Sequence, residues 1–128
     1  MFGENTGGYT AAAEATGVDH VRLGYHYLDR GDTDGYGSLL DAGAVLEEPG
    51  RAPVCGRGAV AGVPRLRGRG EHDLRDVFAA DGRVAAIGRF RPGGGHVGEV
   101  DFADFYTLSE HGLLVNQRSF YFVRPAQT

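Results

Sequence analysis

Apolar residues in the first third of the chain recur at helical spacing. Val18, Val21, Tyr25 and Leu28 fall every three or four positions, the stripe of a helix with one face turned inward. The run "DRGDTDG" ends it: Gly31 suits the left-handed residue that closes a helix, and Asp32 suits the N-cap of the next. That short second helix would carry Tyr36, Leu39 and Leu40. Residues 1 to about 15 are rich in Gly, Thr and Ala without clear period and read as a flexible N-terminal arm, leaving 16–125 as one domain.

Further on the period changes. "GAVLEEPG" reads as a strand stopped by Pro49, "APVCG" as a shorter one, and "RGAVAGVPRLRG" as weakly helical, broken by Gly62 and Pro64. "EHDLRDVFA" and "RVAAIGRF" flank Asp81-Gly82, the strongest short-range signal for a hairpin. After the glycine-rich "RPGGGHVG", the segment "FADFYTLSEHGLLVNQRSFYF" supplies two long strands around a turn. Helices followed by antiparallel strands predict an α+β layer arrangement, with helices covering one face of a sheet.

In the last hairpin, Asp104 interrupts a row formed by Phe102, Tyr106 and Leu108. An ionised carboxylate is rarely buried without a partner, so Asp104 is solvated, is paired, or lines a cavity and does chemistry. Two registers are open. Pairing Leu108 with Leu114, with a bulge at Gly112, sets Phe102, Asp104 and Tyr106 opposite Phe120, Arg118 and Asn116. Pairing Leu108 with Leu113 sets them opposite Ser119, Gln117 and Val115 instead. The first is preferred because it gathers Leu114, Phe120 and Phe122 on the covered side. It makes Asp104–Arg118 either a partly buried ion pair or a carboxylate tuned by its surroundings as a general base.

Composition narrows the chemistry. A chain of 128 residues with 41% hydrophobic and 23% charged residues fits one soluble globular domain. A net charge of −4 leaves no basic excess for nucleic acid. Its basic run, Arg65, Arg67 and Arg69 among glycines, reads as a solvated loop, with an anion or partner contact as the alternative. All 13 basic residues are Arg, so Schiff-base lysine chemistry is excluded. The single Cys55 can form no internal disulfide or Cys-based zinc site and reads as a small buried residue. Five histidines without an i,i+4 pair give no metal signal, and no glycine run forms a nucleotide-binding loop, so neither metal nor cofactor is expected. No apolar run approaches the ~20 residues that span a bilayer. The N-terminus lacks the basic and apolar regions of a signal peptide, which makes the cytoplasm the default location.

"YHYLDRGDTDGYGSLLDAGAVLEEP", "GRGAV" and "VDFADFYTLSEHGLLVNQRSFYF" together resemble the SnoaL-like branch of the nuclear transport factor 2-like superfamily, over roughly residues 18–125. The resemblance implies a cone in which three N-terminal helices close over a curved, mostly antiparallel sheet around an apolar pocket. It also implies dimerisation through the outer sheet face, where Phe105, Thr107, Val115 and Tyr121 would form a stripe. Asp104 matches the catalytic aspartate of SnoaL-like polyketide cyclases, whereas the Glu-His-Trp run of many members is replaced by Asn116, Gln117 and Arg118.

The implied function is a cofactor-independent acid/base enzyme, of cyclase or isomerase type, for a small hydrophobic polyketide-like metabolite in secondary metabolism. Asp104 and Arg118 are its candidate catalytic residues, and Tyr25, Tyr106, Asn116, His72, Phe102 and Phe120 its candidate substrate-binding residues. An Asp and Arg pair also resembles the water-activating groups of limonene epoxide hydrolase or an ether-ring-forming cyclase. That reading needs a second inward carboxylate, from Glu47 or Asp76. A non-catalytic small-molecule carrier and a protein-binding adaptor are the other classes. His26 would lie at the pocket border, and His20, His96 and His111 on the surface or in loops.

Overall fold

The computed structural model describes residues 10–94 and 98–123. Helix α1 spans Ala11–Arg30 and α2 spans Thr33–Gly37; β1 (Leu40–Glu47), β2 (Val54–Cys55) and α3 (Arg57–Gly62) follow. Four long strands complete the chain: β3 (Gly70–Ala80), β4 (Arg83–Pro92), β5 (Val100–Leu108) and β6 (Leu114–Val123). They form one sheet in the order β2-β1-β6-β5-β4-β3, antiparallel throughout except where β1 runs parallel to β6. The helices pack on one face of this curved, unclosed sheet, the α+β cone expected, although α3 follows the first two strands instead of preceding them. Among the described residues no helix is long and apolar enough to cross a membrane.

Helix α1 starts seven residues before Val18. Thr10 caps it by accepting the Ala13 backbone N–H at 2.9 Å, so residues 11–15 of the supposed arm are helix, while residues 1–9 lie outside the described residues. The inward face was hard to see because two of its buried positions are glycines, Gly17 and Gly24. A Cβ on Gly17 would lie 2.3 Å from Leu108, so its absence is what lets α1 settle onto β5. Gly31 (φ 71°) ends α1 as the sequence suggests: its N–H reaches the Leu28 carbonyl, and the Asp32 N–H reaches that of Tyr27. Asp32 then caps α2 by accepting the Gly35 N–H at 2.8 Å.

The last hairpin follows neither sequence register. Leu108 does pair with Leu114, but a bulge at Val115 shifts the next pair to Thr107–Asn116. Tyr106, Asp104 and Phe102 therefore face Gln117, Ser119 and Tyr121. One residue turns β6 over: Gln117, Ser119 and Tyr121 point to the helices, while Arg118, Phe120 and Phe122 point away. Tyr121 thus leaves the outer stripe on which it was expected. Cys55, expected buried, is exposed on the short strand β2.

A second irregularity lies on β3 between Leu74 and Asp76. There the Asp73 carbonyl oxygen comes within 2.2 Å of where a Cβ on Gly88 would stand, so only glycine lets the two strands approach this closely. Replacing Gly88 by Ala is expected to cost about 2 kcal/mol, the scale of overpacking. Urea denaturation measures it, and wild-type stability would show that the strands are not this close.

Candidate functional site

Asp104 is fully buried on β5. Its cation comes not from β6 but from the loop between α3 and β3. Arg67 Nη2 donates to Asp104 Oδ2 at 2.9 Å and Nη1 to Oδ1 at 3.3 Å, with both side chains sheltered from solvent. The expected Asp104–Arg118 pair is therefore absent. The bulge at Val115 carries Arg118 to the outer face, 64% exposed, where it stacks on Phe120 and lies 4.0 Å from Glu47. Arg67, read from sequence as part of a solvated loop, is instead clasped between the rings of Phe102 and Tyr121, 4.5 and 4.9 Å from their centres.

Two tyrosines complete the cluster. Tyr25, from α1, donates to Asp104 Oδ2 at 2.5 Å, and Tyr106 donates to the Tyr25 hydroxyl at 2.8 Å. Burial, then the nearby Asp104 charge, pushes both phenol pKa values well above the usual range, so both keep their protons and act as donors. Burial opposes the charge on Arg67, but Asp104 outweighs it and raises the guanidinium pKa further. Asp104 Oδ2 thus accepts from both Arg67 and Tyr25, and Oδ1 from Arg67 alone.

A second inward carboxylate is present, one residue from the position expected. Glu48 is buried and accepts from Arg51 Nη1 (2.8 Å), the Leu66 backbone N–H (3.1 Å) and the Tyr121 hydroxyl (2.7 Å). Glu47 instead turns to Asn116, whose amide donates to it at 3.0 Å, and Asp76 is exposed. Asn116 and Phe120 thus leave the group of inward residues in which sequence placed them. Phe120 is 41% exposed and packs edge-on against Phe105 outside the cone.

The remaining candidates converge elsewhere. A cavity of about 360 Å³ opens between the end of α1, α2, α3, the loop carrying the three arginines, and the start of β3. His72 lines it; Asp104, Tyr25 and Tyr106 do not. His72 sits at the β3 edge, where its backbone N–H donates to Asp29 Oδ2 at 3.0 Å and its ring Nδ1 lies 2.6 Å from Asp29 Oδ1. A carboxylate of Asp29 can only accept here, so Nδ1 carries the proton and Nε2 offers its lone pair. Burial lowers the His72 pKa against the opposing bond from Asp29, which favours this neutral form. Nε2 is itself buried and has no hydrogen-bond partner among the described residues. The ring is wedged among Tyr25, Phe90 and Phe102 at 4.7–5.4 Å between centres.

Sequence reasoning found His72 but missed Asp29, which reads only as part of a helix-ending acidic run. It also missed Arg67 as the partner of Asp104, and nothing local in a glycine-flanked arginine run shows which guanidinium turns inward. His20 Nδ1 donates to the Gly112 carbonyl oxygen at 2.8 Å, His26 and His111 are exposed, and His96 lies outside the described residues. Among the described residues, no group of three or more His, Cys, Asp or Glu is placed to hold a metal.

Comparison with known proteins gives the same picture of the fold. The model of the SnoaL-like domain matches residues 21–117. Among solved structures, Bal32a from a soil-derived mobile gene cassette is 24% identical, covering 86% of this chain and 92% of its own, with a TM-score of 0.70. SalBIII, an epoxide hydrolase/cyclase-like enzyme in pyran ring formation in polyether salinomycin, is 18% identical over 85% and 92% of the two chains, TM-score 0.69. RV0760c from Mycobacterium tuberculosis, in complex with estradiol-17beta-hemisuccinate, is 18% identical over 82% and 92%, TM-score 0.66. Among curated proteins none matches this sequence.

Removing the Arg67 charge leaves Asp104 buried with only Tyr25. Arg67→Met is expected to destabilise the protein by ~3 kcal/mol, whereas the double change Arg67→Met/Asp104→Leu should recover much of that loss. Thermal melting of the two variants checks this, and an Arg67→Met protein as stable as wild type contradicts the pairing.

Proposed function

Because the chain belongs to the SnoaL-like domain family, we propose that it is a cofactor-independent acid/base enzyme for a small, largely hydrophobic metabolite, of isomerase or cyclase type. The observation that supports this best is the Asp29–His72 pair: a neutral histidine with one nitrogen fixed by a carboxylate, the other unpartnered, in the wall of a ligand-sized cavity. The neighbouring rings shelter Nε2 in this structure, and the ligand seated against the His72 ring displaces them from it. Nε2 then takes a proton from a carbon made acidic by an adjacent carbonyl and returns it at another atom of the same molecule. Asp29 holds the ring orientation and stabilises the imidazolium while it carries the proton. Leu28, Val63 and Phe90 supply apolar wall, and Arg69 lies along the same cavity as a cation for the charge that develops on the substrate oxygen. Estradiol-17beta-hemisuccinate, bound by RV0760c, has a largely apolar ring body, which supports a ligand of that kind for this fold.

A second reading keeps Asp104 as the reacting group. Arg67 lies between two inward carboxylates, hydrogen-bonded to Asp104 and stacked on the Tyr121 that binds Glu48, and such a set could orient water for epoxide opening. SalBIII favours weighing it. It requires Arg67 to release Asp104, which is not among the residues that line the cavity.

The two readings part on a pair of variants. His72→Asn should lower the turnover of the folded fraction by ~10²-fold or more, the scale of a lost general base, whatever melting is lost with the packed ring. Asp104→Asn should lower the melting temperature first and leave the turnover of the folded fraction near wild type. The reverse pattern moves the chemistry to Asp104. Since burial sets the His72 pKa below its ordinary ~6.5, activity should hold from pH 8 to about 6.5 and fall only as the pH drops through the lowered value.

We also propose a homodimer through the outer sheet face. Phe78, Ile87, Phe105, Phe120 and Phe122 are all exposed and occupy neighbouring outward positions on four strands, a larger apolar patch than the stripe expected from sequence. Light scattering at micromolar concentration should give twice the chain mass, and Phe120→Arg should give the monomer. A monomeric wild-type protein overturns this assembly.

A further inference from the structure

Arg65 stands two residues before Arg67 and turns to the other side of the same loop. Its guanidinium lies over the ring of Tyr36, 5.0 Å from the centre, and Arg65 lines the 360 Å³ cavity beside His72. All three of its guanidinium nitrogens are sheltered from solvent, and none makes a well-formed hydrogen bond among the described residues, although the guanidinium lies near enough to the Tyr36 hydroxyl to oppose the burial that raises that phenol's pKa. The ring beneath it is itself anchored: the Tyr36 hydroxyl donates to Gln117 Oε1 at 3.0 Å, and Gln117 in turn donates to Ser119. The guanidinium plane is thus held against Tyr36 with most of its five N–H donors left for a ligand.

Among the described residues no carboxylate is paired with Arg65; those nearby hold other partners, and Asp32, on the cavity rim, spends one oxygen on its helix cap. Both oxygens of Asp29 engage His72, Asp32 caps α2, Asp104 is taken by Arg67 and Tyr25, and Glu48 by Arg51, Leu66 and Tyr121. A buried cation without a counter-charge is costly, and a cation with a fixed flat donor edge is matched best by a planar, two-oxygen anion.

We propose that the ligand of this cavity is a carboxylic acid: an apolar body of one or two rings against Leu28, Val63 and Phe90, with its carboxylate taken by Arg65. This rests on the cavity assigned above and names the chemical class of the molecule that His72 would act on. A carboxylate held at Arg65 fixes one end of the molecule, so that the carbon presented to Nε2 is set by the distance from the acid group. The cavity volume suits a molecule of that size.

The test is binding, which needs no turnover. A panel of one- and two-ring aryl-alkanoic acids and their methyl esters is titrated into the full chain by calorimetry, alongside inorganic phosphate. At least one acid should bind about tenfold or more tightly than its ester, as one charge-assisted bidentate contact gives. Arg65→Met should bring acid and ester to equal affinity while its melting temperature stays at or above wild type, because the uncompensated charge is gone. His72→Asn should keep the preference for the acid even where it abolishes turnover, so loss of catalysis and loss of this subsite are separately visible. If no acid outbinds its ester, if Arg65→Met retains the preference, or if phosphate alone competes with the acids at equal affinity, the proposal is overturned.

Discussion

The Arg67–Asp104 ion pair is the constraint around which the cone is arranged. A carboxylate on the concave face of a sheet must be matched by charge and hydrogen bonds, and the match here draws on three separate parts of the chain. Arg67 comes from the loop after α3, Tyr25 from α1 and Tyr106 from β5 itself. With those groups in place the loop cannot swing away from the sheet without exposing an unpaired buried charge, and α1 cannot rotate without losing Tyr25. The aromatic sandwich of Phe102 and Tyr121 around the guanidinium ties β5 and β6 to the same point. The interior of the cone is thereby filled, and open space is displaced toward the helix ends, where His72, Asp29 and Arg65 lie.

Much of the architecture was legible because it is written in short-range chemistry. Asp81-Gly82 sets a hairpin wherever it falls between alternating residues, and Gly31 followed by Asp32 closes one helix and opens another through their own backbone and side-chain bonds. The start of α1 was legible too, in "TAAAEA", where a capping Thr precedes strong helix formers, but an apolar stripe was the wrong thing to look for. Glycine at Gly17 and Gly24 marks the inner face by the absence of side chains, and a hydrophobic pattern does not register an absence.

The site was less legible because it depends on contacts made at long range. Asp104 stood out from its strand as a misplaced charge, yet its partner lies 37 residues back in a loop with no period. The Asp29–His72 pair joins residues 43 apart. Most of the error on β6 comes from one residue: Val115 bulges, and a side-chain period of two then sends Arg118 and Phe120 outward and Ser119 and Tyr121 inward. A bulge bends and twists its own strand, and nothing in the alternation of residues 114–123 marks where the extra residue falls.

The bond from the His72 backbone to Asp29 has a consequence for how the chain behaves in company. Strand β3 is an end strand, and its outer N–H and C=O groups are a template on which another chain could lay a strand. At His72 that template is already occupied by a side chain from the last turn of α1. The same carboxylate that sets a proton on one ring nitrogen therefore also occupies a backbone donor of the edge strand, so that one acidic residue serves both the histidine and the strand's open side.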